Sequence, residues 1–242
     1  MRVFDFVRRL GRKPSKPPPA AVAYRPRDCH SHVLWGVDDG ARTRDEAIEM
    51  LRLLRQDGAR RIVATPHIYP GRFPNEPGPL RERFEELCRA RDEAGIDVEL
   101  ELGAEHFLDE TLVRRVEDGA HVCFGPERYV LFEAHTGPTI PVHLDDAVRA
   151  IVARGQTPLL AHVERYRWAR GEEGWEVLAD LRAVGVRFQV NRTVGHVNVP
   201  GEGSRGRAIA RLLEEGWVDE VGSDLHRPTA DGRPDPYPSP AA

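Results

Sequence analysis

A regular alternation of strand-like and helix-like segments is the feature of this sequence that most limits its fold. Seven short apolar runs enriched in Val, Leu, Ile or Phe are predicted as β-strands, at residues 28–33, 61–65, 98–103, 129–133, 157–161, 186–190 and 218–222. Repeated βα units predict a parallel sheet with right-handed crossovers. Seven units in about 200 residues favour a closed or nearly closed barrel, with an open doubly wound sheet as the alternative.

Six amphipathic windows separate these runs and are predicted as helices, at residues 44–56, 80–94, 108–116, 144–153, 175–184 and 205–214. The first begins with a capping box, in which Thr43 is followed three residues later by Glu46. It ends at Asp57-Gly58, and glycine also follows four of the other windows. These start and stop signals support the βα reading of the chain.

Size and composition indicate one domain of the α/β class. A chain of 242 residues with 40% hydrophobic residues can bury one core, whereas two full domains would need a visible linker. The net charge of −4 gives no reason to expect a polyanion partner, so nucleic acid is not expected to bind. Three cysteines without paired spacing indicate reduced thiols in the cytoplasm, and no apolar run is long enough to span a membrane.

Both ends of the chain differ from the middle. Residues 1–24 form a basic, Pro-rich leader that we predict to be disordered, with six basic residues and one acidic residue in the first 16 positions. The alternative is a short amphipathic helix there that contacts acidic lipid at the inner membrane face. Residues 229–242 are rich in proline and are also predicted to be disordered, which leaves residues 25–228 for the barrel.

Side chains of the metal-ligand type lie at or just beyond the predicted strand ends. They are His30, His32, His67, Glu105, Glu133, His162, Asp224 and His226. In a strand, the two-residue spacing of His30 and His32 places both rings on one face. The carboxyl ends of parallel strands meet at one mouth, so we expect these side chains to converge there. Imidazole and carboxylate ligands suit Mn²⁺, Fe²⁺ or Zn²⁺.

A series of motifs, taken in chain order, resembles one known family. The motifs are Asp28-Cys29-His30-Ser31-His32, Val37-Asp38-Asp39-Gly40, Ala64-Thr65-Pro66-His67, Gly103-Ala104-Glu105, Leu131-Phe132-Glu133, His162-Val163-Glu164-Arg165 and Ser223-Asp224-Leu225-His226. Together they closely resemble the bacterial PHP (polymerase and histidinol phosphatase) protein-tyrosine phosphatases of capsule and exopolysaccharide loci. The resemblance extends from about residue 27 to residue 227.

This resemblance implies a distorted (β/α)7 TIM-like barrel of the PHP type that holds two or three divalent metal ions, often manganese. The implied metal ligands are His30, His32, Asp38, His67, Glu105, Glu133, His162, Asp224 and His226. Asp38 is preferred as the ligand over Asp39, which would instead brace the loop. Arg165 matches a phosphate-contacting arginine, and the implied catalytic residues are Arg165, Asp224 and His226.

The implied activity is hydrolysis of phosphotyrosine on the C-terminal tail of a bacterial tyrosine kinase that regulates capsule or exopolysaccharide synthesis. Two alternatives stay open: another PHP phosphoesterase, acting on histidinol phosphate or on nucleic acid ends, and a non-catalytic module that contains metal. A thiol mechanism is not expected, because no cysteine is followed six positions later by arginine. The sequence leaves the oligomeric state open.

Some remaining aromatic and histidine residues are weaker candidates. Tyr69, Arg72 and Phe73 occupy a loop after His67 in which a substrate phenol could stack, although loop flexibility alone explains the same composition. His135 follows Glu133 by two positions and is expected at the cleft. Solvated or capping roles are expected for His106, His121, His143 and His196.

Overall fold

The computed structural model describes residues 26–191, 203–228 and 234–235 of the chain. Six helices lie within these residues: α1 (Arg44–Gln56), α2 (Pro77–Glu93), α3 (Glu110–Asp118), α4 (Leu144–Ala153), α5 (Glu172–Ala183) and α6 (Gly203–Glu214). None of them is long and apolar enough to cross a membrane. The predicted leader, His196 and most of the predicted tail lie outside the described residues, so the predictions made for them stay predictions.

Eleven strands accompany the helices in the described part of the chain. They are β1 (Arg27–Ser31), β2 (Arg61–Ala64), β3 (His67–Ile68), β4 (Glu99–Leu102), β5 (Glu105–Phe107), β6 (Tyr129–Glu133), β7 (Thr157–Leu160), β8 (Arg187–Asn191), β9 (Glu220–Gly222), β10 (Arg227–Pro228) and β11 (Pro234–Asp235). The first nine pair in parallel, whereas β10 and β11 form a small antiparallel pair. All seven predicted strands and all six predicted helices are present.

Helix boundaries follow the capping chemistry. Helix α1 has the predicted bounds, and the Thr43 hydroxyl accepts a hydrogen bond from the backbone N–H of Glu46. Helix α3 begins and ends two residues later than predicted. It begins after Asp109, because the Asp109 carboxylate accepts hydrogen bonds from the backbone N–H groups of Thr111 and Leu112. Helix α2 begins earlier than its first apolar residue, because Pro77 occupies the first turn, where a missing N–H costs nothing.

Beyond two of the predicted strands the chain breaks and then resumes as a second short strand closer to the mouth of the sheet. Strands β2 and β4 pair with each other, and after a short break their continuations β3 and β5 pair again. Pro66 lies in the first break, where it has no N–H to give to the ladder. The Pro66 carbonyl still accepts from the Glu105 N–H at 3.0 Å, which keeps the two broken strands in register.

The sheet curls so that its first and last strands meet. Asp224 N–H donates to the His30 carbonyl at 2.7 Å, and His32 N–H donates to the Leu225 carbonyl at 2.9 Å. At Gly222, a Cβ would lie 2.4 Å from the His30 Cβ, so this approach of β9 to β1 requires glycine. The predicted parallel α/β architecture is confirmed, and the curled sheet is consistent with a TIM-like barrel.

The apolar core divides between the two faces of the sheet. Two large clusters combine helix and strand residues and lie between the helices and the sheet. A third cluster contains strand and loop residues only: Cys29, Val63, Phe124, Tyr129, Leu131, Leu159 and Ala161. Because it contains no helix residue, we place it on the inner face of the curled sheet, where it supports the strand ends.

His106 departs from the solvated role expected for it. It is 1% exposed, its Nε2 lies 3.2 Å from the Val122 carbonyl oxygen, and its ring faces His121 at 6.4 Å. The neighbours Glu105 and Phe107 point to the other face of β5, since side chains alternate along a strand. Burial lowers the pKa of His106 from 6.5 to about 4, so the folded chain holds this ring neutral.

A neutral buried His106 makes folding sensitive to acid. The folded chain binds fewer protons than the unfolded chain between pH 6.5 and pH 4, so stability is full above that window and falls within it. We expect the free energy of unfolding of the wild type to fall by up to about 3 kcal/mol more than that of His106→Gln across this window. Denaturant melts at a series of pH values measure the difference. Parallel pH curves for the two proteins would contradict the assignment.

Candidate metal centre

Ligand-type atoms from five strand ends and one loop meet in a single pocket. They form three groups in which the atoms lie within 4.8 Å of one another: His32, Asp39, His67 and His226; His30, His32, Glu105 and Asp224; and His67, Glu105 and Glu133. The groups share His32, His67 and Glu105, so they are contiguous. Seven of the eight side chains that were expected to converge belong to these groups, together with Asp39, whereas His162 and Asp38 do not.

The second group is the most deeply buried. The Nε2 atoms of His30 and His32 lie 3.2 Å apart, as expected for rings on one face of a strand. Both face Glu105 Oε2, at 3.2 and 3.4 Å, and both lie 3.4 Å from Asp224 Oδ1. Two imidazole nitrogens and two carboxylate oxygens at such distances can surround one divalent cation.

Three of these histidines use one ring nitrogen outside the pocket. The Nδ1 contacts are His30 to Gln189 Oε1 at 3.1 Å, His32 to Asp38 Oδ2 at 2.9 Å, and His226 to the Asp224 carbonyl at 2.9 Å. Since each partner oxygen is an acceptor, each Nδ1 carries the proton. The Nε2 atoms therefore point at the neighbouring ligands, which is the orientation that metal coordination requires.

The structure separates the roles of the two adjacent aspartates. Asp38 is occupied by hydrogen bonds, because it accepts from His32, from the His67 backbone N–H at 2.9 Å and from the Gly40 N–H at 2.9 Å. Asp39 Oδ1 is buried without a hydrogen-bond partner among the described residues and lies 3.4 Å from His67 Nε2. The geometry favours Asp39 as the ligand and Asp38 as the brace, the reverse of the assignment made from sequence.

Gly40 completes the loop that presents Asp39. A Cβ at this position would lie 2.2 Å from the His32 carbonyl oxygen, a distance that no other amino acid tolerates. The glycine of the Asp-Asp-Gly motif is thus explained by the close packing of this loop against the end of β1.

His162 lies beside the three groups rather than within them. Its Nε2 is 2.9 Å from Glu105 Oε1 and 3.6 Å from Glu133 Oε2. On the other side of these carboxylates, His67 Nδ1 lies 3.2 Å from Glu105 Oε2 and 3.4 Å from Glu133 Oε1. The predicted ligands His67, Glu105, Glu133 and His162 are therefore adjacent, with the two carboxylates between the two rings.

The electrostatics of the pocket fit bound cations. Burial raises the pKa of Glu133, and the neighbouring Glu105 raises it further. Burial opposes the charge of His30, yet Glu105 and Asp224 raise its pKa to about 9. Burial lowers the pKa of His67, and lowers that of His162 to about 4, so these rings offer a lone pair at neutral pH. Buried carboxylates beside neutral imidazoles are a donor set that suits divalent metal.

Arg165 lies at the edge of the pocket, in a short 3-10 helix (Val163–Arg165) that follows β7. Its Nη1 donates to Asp224 Oδ2 at 3.0 Å, not to the neighbouring Glu164. The preceding His162 and the partner Asp224 have φ values of 33° and 54°, in the left-handed region that disfavours side chains with a Cβ. Only three non-glycine residues of the described chain have a positive φ, so this strain is concentrated at the site.

Two amides on β8 belong to the site and were missed from sequence. Gln189 accepts from His30 and from the His162 backbone N–H at 2.8 Å, and its own amide donates to Asn191 Oδ1 at 2.8 Å. Asn191 in turn donates to Asp224 Oδ2 at 2.7 Å. The sequence feature that could have identified them is Gln189-Val190-Asn191, at the one predicted strand end without a ligand candidate. A search for histidines and carboxylates does not detect it.

The fold and the site together define a class: an α/β protein with a curled parallel sheet and, at its mouth, contiguous His, Asp and Glu clusters able to bind metal. A family model described as capsular polysaccharide synthesis, CpsB/CapC, matches residues 27–235. The chain belongs to this family, which confirms the relationship predicted from its motifs.

Individual relatives agree with this membership. The chain is 30% identical over 217 residues to the tyrosine-protein phosphatase CpsB of Streptococcus pneumoniae, covering 87% of this chain and 85% of the relative. It is 28% identical over 200 residues to the tyrosine-protein phosphatase YwqE of Bacillus subtilis strain 168, covering 82% and 76%. A crystal structure from work on YwqE and CpsB, described as unique metal-dependent tyrosine phosphatases, superposes with a TM-score of 0.73 at 26% identity, covering 87% and 82%.

The separation of Asp38 from Asp39 can be tested by counting ions. We expect Asp39→Asn to bind one divalent ion fewer per chain, because it loses a charged ligand. Asp38→Asn should keep the wild-type number at saturating metal but bind it about tenfold more weakly, because His32 loses its orienting acceptor. Elemental analysis and competition with a chelator measure both quantities. The opposite pattern would restore Asp38 as the ligand.

The role of Gln189 can be tested against a second buried glutamine. Gln189→Leu removes the acceptor for His30, so metal affinity should fall about tenfold to a hundredfold, and Gln189→Glu should restore much of it. Gln156 accepts from His121 Nε2 at 2.8 Å away from the pocket, so Gln156→Leu is the matched control. Titration calorimetry with Mn²⁺ measures the affinities. Equal affinities for the two leucine variants would refute the role.

Proposed function

We propose that this protein is a metal-dependent tyrosine-protein phosphatase that acts on the phosphorylated tail of a bacterial tyrosine kinase and thereby regulates capsule or exopolysaccharide synthesis. The observation that carries the proposal is the set of three contiguous ligand groups in one pocket with Arg165 at its edge. The relatives named as tyrosine-protein phosphatases, and the metal-dependent structural neighbour, support it.

We propose an assignment of residues to ions that follows the three ligand groups. His30, His32, Glu105 and Asp224 would hold one ion, His67, Glu105 and Glu133 with the adjoining His162 a second, and Asp39 and His226 a third. We propose Mn²⁺ as the native metal, and Fe²⁺ or Zn²⁺ suits the same donors. When bound, such ions supply charge stabilisation for phosphoryl oxygens and lower the pKa of an attacking water.

Arg165 contributes a fixed cation for the phosphoryl group. Burial opposes its charge, but Asp224, Glu105 and Glu133 raise the pKa of Arg165, so the guanidinium stays charged. Its planar fork suits two phosphoryl oxygens, and its hydrogen bond to Asp224 fixes its orientation. Asn191 shares Asp224 Oδ2 with Arg165, so the amide pair on β8 also determines where the arginine lies.

Cys29, which adjoins the ligand candidate His30, does not provide a nucleophile. Cys29 is fully buried, and burial raises the pKa of its thiol well above the usual value, so it is held as a neutral thiol. A thiolate attacks phosphorus only when its pKa is lowered, which is the opposite of this environment. The proposed hydrolysis therefore proceeds without a cysteinyl intermediate.

We also propose the finer form of the fold, a distorted (β/α)7 barrel of the PHP type. If β2 and β3 count as one broken strand, and β4 and β5 as another, seven parallel positions remain. The hydrogen bonds between β1 and the segment after β9 support closure of the ring. The similarity to the YwqE and CpsB structures supports the same assignment.

The cellular setting is part of the proposal. We infer a cytoplasmic enzyme whose basic leader contacts the inner membrane face, because that is where a membrane-bound kinase would present its tail. The six basic residues near the start of the chain suit acidic lipid, and the net charge of −4 does not suit nucleic acid.

The decisive experiment removes and restores the metal. Chelator-treated protein should lose at least about a hundredfold in activity on a phosphotyrosine peptide and recover it with Mn²⁺. His30→Ala should be inactive, whereas Cys29→Ala should retain most activity and serves as the control for buried substitutions in β1. Full activity after verified removal of metal would contradict the proposal. Faster turnover of histidinol phosphate or single-stranded DNA than of the phosphotyrosine peptide would favour another PHP phosphoesterase activity over the proposed one.

A further inference from the structure

An aromatic ring follows a ligand candidate by two residues on each of three neighbouring strand ends. The pairs are His67 and Tyr69, Glu105 and Phe107, and Glu133 and His135. Strands β3, β5 and β6 are adjacent in the sheet, and His67 is in register with Glu105. Because residues two apart share a face, each ring lies one side-chain repeat beyond its own ligand candidate, and the register between β5 and β6 places Phe107 beside Glu133.

Ring contacts join these rings into one surface. Tyr69 stacks on Phe107 with ring centroids 3.9 Å apart and planes within 1°, and His135 meets Phe107 edge-on at 4.8 Å. A tight turn adds Phe73, whose backbone pairs with that of Tyr69 through hydrogen bonds of 2.9 and 2.7 Å. The Phe73 ring stacks on the ligand candidate His67 at 5.3 Å. We call Tyr69, Phe73, Phe107 and His135 the aromatic wall.

Exposure increases outward along the aromatic wall. Phe107 is 8% exposed, Tyr69 and Phe73 are half-buried, and His135 is exposed. The wall thus runs from the ligand candidates to the solvent on the side of β3, β5 and β6. Arg165, after β7, and its partner Asp224, after β9, lie further around the strand order. A substrate that reaches the ligands can therefore place its phosphoryl group beside Arg165 and its remainder along the wall.

We propose that the aromatic wall binds the phenyl ring of the substrate and makes the enzyme selective for aryl phosphates over alkyl phosphates. This inference rests on the proposed phosphatase function. On each of the three strands the ring lies two residues, about 6.6 Å, beyond its ligand candidate, so the rest of a substrate whose phosphoryl group is at the ligands must cross that distance. A phenyl ring spans this distance and stacks on the wall, whereas a phosphoserine side chain would draw peptide backbone among the rings.

A binding experiment tests the wall without requiring turnover. Full-length protein loaded with Mn²⁺ is titrated calorimetrically with phenylphosphonate and with methylphosphonate, which share the phosphonate group and differ in the ring. The wild type should bind phenylphosphonate about tenfold more tightly, and Tyr69→Leu/Phe73→Leu should lose most of that preference. Val142→Ala is the control, because Val142 is an apolar residue with 88% exposure in the loop before α4 and is not part of the wall.

Kinetic measurements separate failure of this inference from failure of the proposed function. The ratio of kcat/KM for a phosphotyrosine peptide to that for a phosphoserine peptide should fall about tenfold in the double variant. A wild type that prefers phenylphosphonate but hydrolyses no phosphoester would support ring binding by the aromatic wall and contradict the proposed phosphatase function. An active wild type without the preference for phenylphosphonate would contradict the inference that the aromatic wall binds the phenyl ring. A double variant that keeps the preference would contradict it as well. If Phe73→Leu alters metal content through His67, Tyr69→Leu alone decides, since the Tyr69 ring stacks on Phe107.

Discussion

The need to neutralise buried negative charge governs this structure. Asp38, Asp39, Glu105, Glu133 and Asp224 converge at the mouth of the sheet, and Glu105 and Asp224 are almost inaccessible to water. Unpaired charge in such a place costs several kcal/mol per ion, so the pocket must recruit positive charge. Without metal, protonation of histidine supplies part of it. Divalent ions supply more, so metal binding and stability of the fold are linked.

The backbone delivers these charges to one point through breaks in regular structure. The break around Pro66 lets His67 begin a new short strand beside Glu105. Left-handed conformations at His162 and Asp224 turn the chain sharply, so each side chain returns toward the pocket. Glycines at 40 and 222 allow neighbouring backbone to approach where any side chain would collide. Regular strands thus set the coarse position of each ligand, and irregular residues set its direction.

Much of this could be predicted from sequence, for identifiable reasons. Apolar periodicity located the strands and helices, and the cap at Thr43 fixed the bounds of α1. Strand-end histidines and carboxylates identified the pocket, because parallel strands share one carboxyl edge. The roles of Asp38 and Asp39 could not be read, because adjacent carboxylates differ only in the direction that a loop gives them. Gln189 and Asn191 were not predicted as site residues, because amides act on ligands through hydrogen bonds and belong to no recognisable sequence motif.

His67 has a further consequence for how the centre fills. Its Nε2 faces Asp39 while its Nδ1 faces Glu105 and Glu133, so one imidazole lies between two coordination groups. A neutral ring has a single lone pair, so commitment to one group withdraws that lone pair from the other. Occupancies of neighbouring positions are thus interdependent, and successive equivalents of metal should associate with unequal, stepwise affinities instead of as identical independent sites.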